Sequence, residues 1–255
     1  MFVLRKIYCR AFQLAFRAAL PFLPYRNPEI ISSDAEIPAV LRKHELQKVM
    51  IVTDAGIRKL GLTSFLEKTL AEEGIGYCIY DRTVANPTIW NVEEAKDLYL
   101  KEGAQALIAF GGGSSMDCAK AAGARIVKPR QSIRQMKGLL KVHKKLPLLI
   151  AIPTTAGTGS ETTLAAVITD SEKHYKYPIN DFSLIPRYAV LDYHETVGLP
   201  KSITATTGMD ALTHAVEAYI GGSTTRETRK MAEKAVYLVH QYLKRAYDNG
   251  HDKEA

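Results

Sequence analysis

The run Ala106-Leu107-Ile108-Ala109-Phe110, followed at once by Gly111-Gly112-Gly113 and then by the alanine-rich stretch Met116 to Arg125, most constrains how this chain folds. A short, continuous apolar run reads as a strand of a parallel sheet buried on both faces. The alanine-rich stretch holds no proline and reads as a helix. Glycines at the turn between them let a ligand approach the backbone with no Cβ in the way. The helix start adds unpaired N–H groups and a positive dipole end, a combination suited to phosphate. Ser114 is expected to cap this helix, with Asp117 in the reciprocal position of a capping box. Glycines alone are equally what a plain tight turn contains, so the rest of the chain decides.

From residue 30 to about 195, short apolar runs alternate with helical stretches. Strands are expected at Lys48–Thr53, Gly76–Tyr80, Leu146–Ile152, Ala165–Thr169 and Tyr188–Leu191, and helices at Ser64–Glu73 and Val92–Glu102. This alternation specifies a parallel sheet with helices on both faces. After Leu199-Pro200 the strand signal stops, and Thr204–Tyr219 and Thr225–Tyr247 read as helices separated by Gly221-Gly222. The chain therefore divides into a basic amphipathic helix within residues 1–30, an α/β domain over 31–197, and helices of a second domain over 198–255. In the first segment, Leu4, Tyr8, Ala11, Phe12, Ala15, Ala19 and Phe22 recur at helical spacing, with Arg5, Arg10 and Arg17 off the stripe and Pro21 and Pro24 ending it. Packing against the main body or a partner subunit is the favoured role of this helix, with membrane-surface attachment as the alternative.

The net charge of +7 does not point to nucleic acid. Five basic residues against Glu29 give residues 1–30 a balance of +4, leaving +3 for the rest, which the phosphates of a small cofactor account for as readily. Cys9, Cys78 and Cys118 are odd in number and widely spaced, giving neither a disulfide framework nor a zinc ribbon, so a reducing cytoplasm is expected. Arg10, Gln13 and Arg17 interrupt what would be the apolar stretch of a signal peptide, and no apolar run is long enough to span a bilayer.

Three further elements carry candidate chemistry. Asp54 follows the strand at 48–53, where a carboxylate can accept from a ribose 2′-hydroxyl and would repel a 2′-phosphate. It precedes the glycine loop, whereas the usual dinucleotide fingerprint places its acid about 20 residues after. On residue grounds alone it is also an ordinary turn residue before Gly56. A second loop, Ile152-Pro153-Thr154-Thr155-Ala156-Gly157-Thr158-Gly159-Ser160-Glu161-Thr162-Thr163, again runs from a strand into small and hydroxylated residues, and Thr158 with Glu161 fits a capping box. The third element is Asp210 and His214, four apart on a predicted helix and so on one face. Such a pair is more often a surface contact than a metal site, and an open catalytic site needs at least three protein ligands.

Taken in order, Val52-Thr53-Asp54, Asn86-Pro87-Thr88, Gly111 to Asp117, Ile152 to Thr163 and Gly208 to Tyr219 resemble the iron-containing (group III) alcohol dehydrogenases, which share a fold with glycerol dehydrogenase and dehydroquinate synthase. The resemblance covers about residue 38 onward. It implies an N-terminal parallel-sheet dinucleotide-binding domain followed by the start of an all-helical metal-binding domain, with NAD, or NADP, as cofactor. By this likeness Asp54 reads the adenosine ribose, and Asn86 follows the next strand. Gly112, Gly113, Ser114 and Asp117 form the pyrophosphate loop, Thr154, Thr155 and Thr158 line the second loop, and Lys176 contacts the cofactor. Asp210 and His214 match the first two metal ligands, for iron(II) ahead of zinc. Hydride transfer between a small alcohol and NAD follows, with homo-oligomers expected of a full-length member. The family's two remaining histidine ligands have no counterpart here, since His240 and His251 read as solvent-facing, so the chain reads as C-terminally truncated and inactive alone. A zinc-dependent polyol dehydrogenase and a non-catalytic dinucleotide-binding remnant are the alternatives.

Overall fold

The computed structural model describes residues 2–19, 22–222 and 224–255, and the side chains of 2–5, 16 and 17 are outside that description. Helix α1 (Phe2–Ala19) opens the chain, as the periodicity predicts. The placements of Leu4, Arg5 and Arg17 relative to its stripe, and the termination at Pro21, lie outside the described residues. Ile7, Tyr8, Phe12 and Leu14 of this helix are exposed.

Two compact units follow from the contacts: residues 26–155 with 159–196, and residues 1–25, 156–158 and 197–255. In the first unit, strands β1 (Glu29–Ile31), β2 (Lys48–Val52), β3 (Gly76–Tyr80), β4 (Ala106–Gly111), β5 (Gly138–Leu139), β6 (Leu148–Pro153), β7 (Ala165–Asp170), β8 (Tyr175–Asn180) and β9 (Tyr188–Val190) form two sheets. The larger has the order β1-β9-β6-β4-β2-β3, all pairs parallel, with Ile51 opposite Ile108 and Ile108 opposite Ile150. The smaller has the order β5-β8-β7, with β7 and β8 antiparallel.

Helices cover the large sheet on both faces. Met50, Val52, Leu107 and Ala109 point into one core with α5 (Ile89–Glu102) and α6 (Gly113–Val127). Val49, Ile51, Ile108 and Phe110 point into the other, with α2 (Ile37–Lys43) and α4 (Ser64–Glu72). Alternate residues of one strand thus feed opposite cores, which is why β4 has no polar position; full burial of an Ile or Phe contributes about 1.5–3 kcal/mol. Small residues bring α6 close to the sheet, since a Cβ on Gly123 would fall 2.9 Å from Leu146 Cδ2. Thr88 caps α5 in a box with Asn91, and Gly103 in the left-handed region ends it. Short helices α3 (Ala55–Lys59) and α7 (Ile133–Met136) complete this unit.

Chain order along the large sheet reverses beside β2, whose neighbours are β3 on one side and β4 on the other. In open parallel sheets the crevice outside the carboxyl ends of the strands at such a switch point is where ligands bind. The residues leaving β2 and β4 there are Asp54 and Gly111-Gly112-Gly113.

The second unit is built on α8 (Lys201–Ile220) and α9 (Arg226–Asp248), an antiparallel pair. Lys201 Nζ donates to the Asp248 carbonyl, and a Cβ on Gly208 would strike Leu243 at 2.2 Å, so glycine sets the close approach of the helices.

A candidate dinucleotide site at the β4–α6 turn

Gly111 ends β4 with φ +142°, a conformation side chains rarely adopt, and a Cβ there would lie 2.7 Å from Ser115 Oγ. Gly112 is the N-cap of α6 and offers no capping side chain. Ser114 therefore does not cap the helix: it lies in the first turn, where its Oγ accepts from the Asn86 N–H at 3.2 Å. With the cap position side-chain-free, the first N–H groups of α6 are left to an anion.

Asp117 is not the partner of a capping box either. Its Oδ1 accepts from Ser160 Oγ at 3.0 Å and its Oδ2 from the Val167 N–H at 3.0 Å, so both oxygens are turned to the second loop and β7. Burial raises its pKa, opposed by those hydrogen bonds and by the Lys120 charge. The proposed box of Thr158 and Glu161 is likewise absent. The single 3₁₀ turn Ser160–Thr162 starts from Gly159 in the left-handed region with no side-chain cap, and Thr158 belongs to the helical unit.

Asp54 is the N-cap of α3, its Oδ1 accepting from the Gly56 and Ile57 N–H groups at 2.8 and 3.0 Å. The turn-residue role is thus real, and it uses one oxygen. The other, Oδ2, lies 3.7 Å from where a Gly111 Cβ would stand, which puts a carboxylate edge beside the glycine turn. Thr154 donates its N–H to the Gly111 carbonyl at 3.1 Å, and Thr155 Oγ1 would be 3.4 Å from a Gly112 Cβ. Asn86, held at φ +58°, accepts from Lys176 Nζ at 2.7 Å through Oδ1. Lys176, on β8, is therefore no mere solvated charge: Ser114, Asn86 and Lys176 form one hydrogen-bonded chain from three separate elements.

Residues 29–193 match the family described as iron-containing alcohol dehydrogenase, and residues 204–255 match its C-terminal domain. The chain belongs to the iron-containing alcohol dehydrogenase family. Among its relatives, alcohol dehydrogenase 4 of Schizosaccharomyces pombe is 42% identical over 87% of this chain and 52% of its own length. The NAD-dependent methanol dehydrogenase of Bacillus methanolicus is 39% identical over 86% of this chain and 58% of its own. The solved structure of an alcohol dehydrogenase from Oenococcus oeni superposes with a TM-score of 0.85 at 34% identity, covering 90% of this chain and 62% of that one. The chain thus spans little more than half the length of the curated relatives it matches.

In a family named for its metal, Asp210 and His214 are the donors to test. On α8 their Oδ1 and Nε2 atoms are 3.7 Å apart and both side chains are half-exposed. Among the described residues no group of three or more candidate ligands occurs. Two donors fall short of an open catalytic site, and no chemical step is derived through a metal here. His251 is exposed as expected, but His240 stands within α9, not at its end, and borders an apolar groove with Met209, Val236, Val239 and Leu243.

Two residues of the site escape a reading of motifs. Ser115, next to the glycines, is buried with its Oγ unpartnered. Lys120 is fully buried; the available signal was a lone lysine inside the small-residue run Ala119 to Ala124.

Proposed function

We propose that this chain binds NAD at the β4–α6 turn and serves hydride transfer between a small alcohol and its aldehyde or ketone. The observation that carries the reading is the coincidence of three features at the sheet's switch point: a side-chain-free helix start, a strained glycine, and the unengaged edge of Asp54. The pyrophosphate would lie on the first turn of α6, against the N–H groups that Gly112 leaves open. Asp54 Oδ2 would accept from the adenosine ribose and disfavour a 2′-phosphate, giving preference for NAD over NADP. When bound, the nicotinamide would accept the hydride or return it. Thr154, Thr155, Asn86 and Lys176 would fix its orientation, and Thr158 would extend the second loop.

Asp210 and His214 are proposed to supply two donors to a divalent metal, iron(II) ahead of zinc. The bound form would work as a homo-oligomer in the cytoplasm. No helix among the described residues is long and apolar enough to cross a membrane. A non-catalytic dinucleotide-binding role is the second reading, favoured by the two-donor set. Titration with NADH and NADPH, followed by fluorescence, tests the first claim: saturable NADH binding at least tenfold tighter than NADPH supports it, and no saturable binding of either overturns it.

A further inference from the structure

No Asp or Glu occurs between Asp117 and Glu161, yet a lysine in this stretch is buried to zero exposure. Lys120 leaves α6 one turn after Asp117, on the same face. Its ammonium donates into a cage of five oxygens: the carbonyls of Ser160 at 2.6 Å, Thr163 at 2.9 Å and Ala165 at 2.9 Å, and the hydroxyls of Ser160 at 3.1 Å and Thr163 at 3.0 Å. Three N–H bonds shared among five acceptors, with no donor facing the nitrogen, is a setting for a cation. Asp117 and Glu161 provide the opposing charge, while burial pulls the lysine down to about 8.

Stability alone does not account for this arrangement. Taking an ammonium out of water is costly, and an apolar side chain of similar length would fill the space without that cost. What the ammonium gains is position. Thr154 N–H ties one end of the second loop to the Gly111 carbonyl, at the start of α6. Lys120 and Asp117 tie the other end, gripping Ser160 from two sides, to the same helix. Both ends of the hydroxyl-rich loop are thus registered on the helix whose N-terminus faces the proposed pyrophosphate.

We propose that Lys120 is a positioning residue for dinucleotide binding, fixing the second loop to the glycine-turn helix through its five-oxygen cage; this rests on the dinucleotide-binding reading above. The test compares the full chain with Lys120→Met, which keeps length and loses every donor, and Lys120→Arg, which keeps a cation and its donors. NADH affinity is read by fluorescence, fold by thermal melting, and loop order by hydrogen exchange over residues 160–167. Lys120→Met is expected to keep a cooperative melt, to weaken NADH binding at least tenfold, and to speed exchange in that segment but not in α9. Lys120→Arg is expected to restore binding to within about threefold of the parent. If Lys120→Met gives no cooperative melt, Lys120→Gln takes its place. Parent-like binding in the donor-deficient variant, or no rescue by arginine, overturns the role of Lys120 alone. Absence of NADH binding by the parent chain overturns the underlying reading, and this role with it.

Discussion

At the scale of single residues, Asp54 has two jobs on two oxygens, and they can be separated. Oδ1 caps α3, while Oδ2 faces the glycine turn. Asp54→Asn keeps an N-cap oxygen and removes the charge, so stability should change by no more than a few tenths of a kcal/mol while discrimination against NADPH falls at least tenfold. Asp54→Ala should lose the cap as well, at about 0.5–2 kcal/mol. Equal discrimination in the parent and the asparagine variant would remove the ribose assignment. Gly112 allows a second separation. Its φ of −78° is open to any residue, so Gly112→Val should fold, yet its branches would occupy the space beside Thr155 and over the helix start. NADH binding should fall beyond detection, with a melting temperature close to the parent's. Cys118, fully buried and pushed up to about 12 by that burial, is packing and not a ligand. Cys118→Ala should cost about 1 kcal/mol and leave NADH affinity unchanged.

At the scale of elements, the 3₁₀ turn Tyr193–Glu195 gathers like charges. Glu195 is pushed up to about 7, first by burial and then by Asp34 and Asp192; Asp34 itself is buried with Oδ2 unpartnered. Between the ordinary glutamate range and 7, the folded chain holds a proton that the unfolded chain has released. Stability therefore falls as pH rises through that window and is greatest below it. Glu195→Gln should flatten this slope and stabilise the chain at pH 8 by on the order of 1 kcal/mol, after discounting for partial exposure. Melting curves from pH 4.5 to 8 for both proteins check this, and parallel curves would refute it. Elements built on continuous apolar runs were legible in the sequence: β3 falls at its expected bounds, and β2, β4, β6 and β9 within a residue or two. Strand β8 was not, because Lys173-His174-Tyr175-Lys176 and Pro178 read as loop. Pro178 is tolerated because β5 pairs only with Ile179 and Asn180, leaving the proline on a locally open edge. Both capping boxes assigned to the loops failed for one reason. The pattern of a hydroxyl followed by an acid three residues on is also met when a glycine supplies the cap and the acid bonds elsewhere, as Asp117 does. What sequence cannot show is which far segment a side chain reaches, and Asp117, Asn86, Lys120 and Lys176 are all defined by partners more than 25 residues away.

Over the whole molecule, the residues proposed for the dinucleotide and those proposed for the metal have unequal support. Asp54, Gly112, Ser114, Asn86, Thr154 and Lys176 are held by backbone and side-chain bonds that define their positions before any ligand arrives. Pre-organisation of this kind lowers the ordering cost of binding. Asp210 and His214 have only each other at 3.7 Å, on a half-exposed helix face, and a two-donor set holds a divalent ion weakly and lets it exchange. The expected outcome for a polypeptide of residues 1–255 is therefore a split: saturable NADH binding with or without metal, and no sustained NADH production from ethanol or 1,3-propanediol with stoichiometric iron(II) or zinc(II). Asp210→Ala and His214→Ala should leave NADH affinity unchanged, because neither residue is part of the α/β unit that carries the glycine turn. Binding and turnover measured on one preparation decide the matter. Steady turnover by this polypeptide, abolished by either substitution, would mean that the two donors on α8 suffice and that the weak-site argument is wrong.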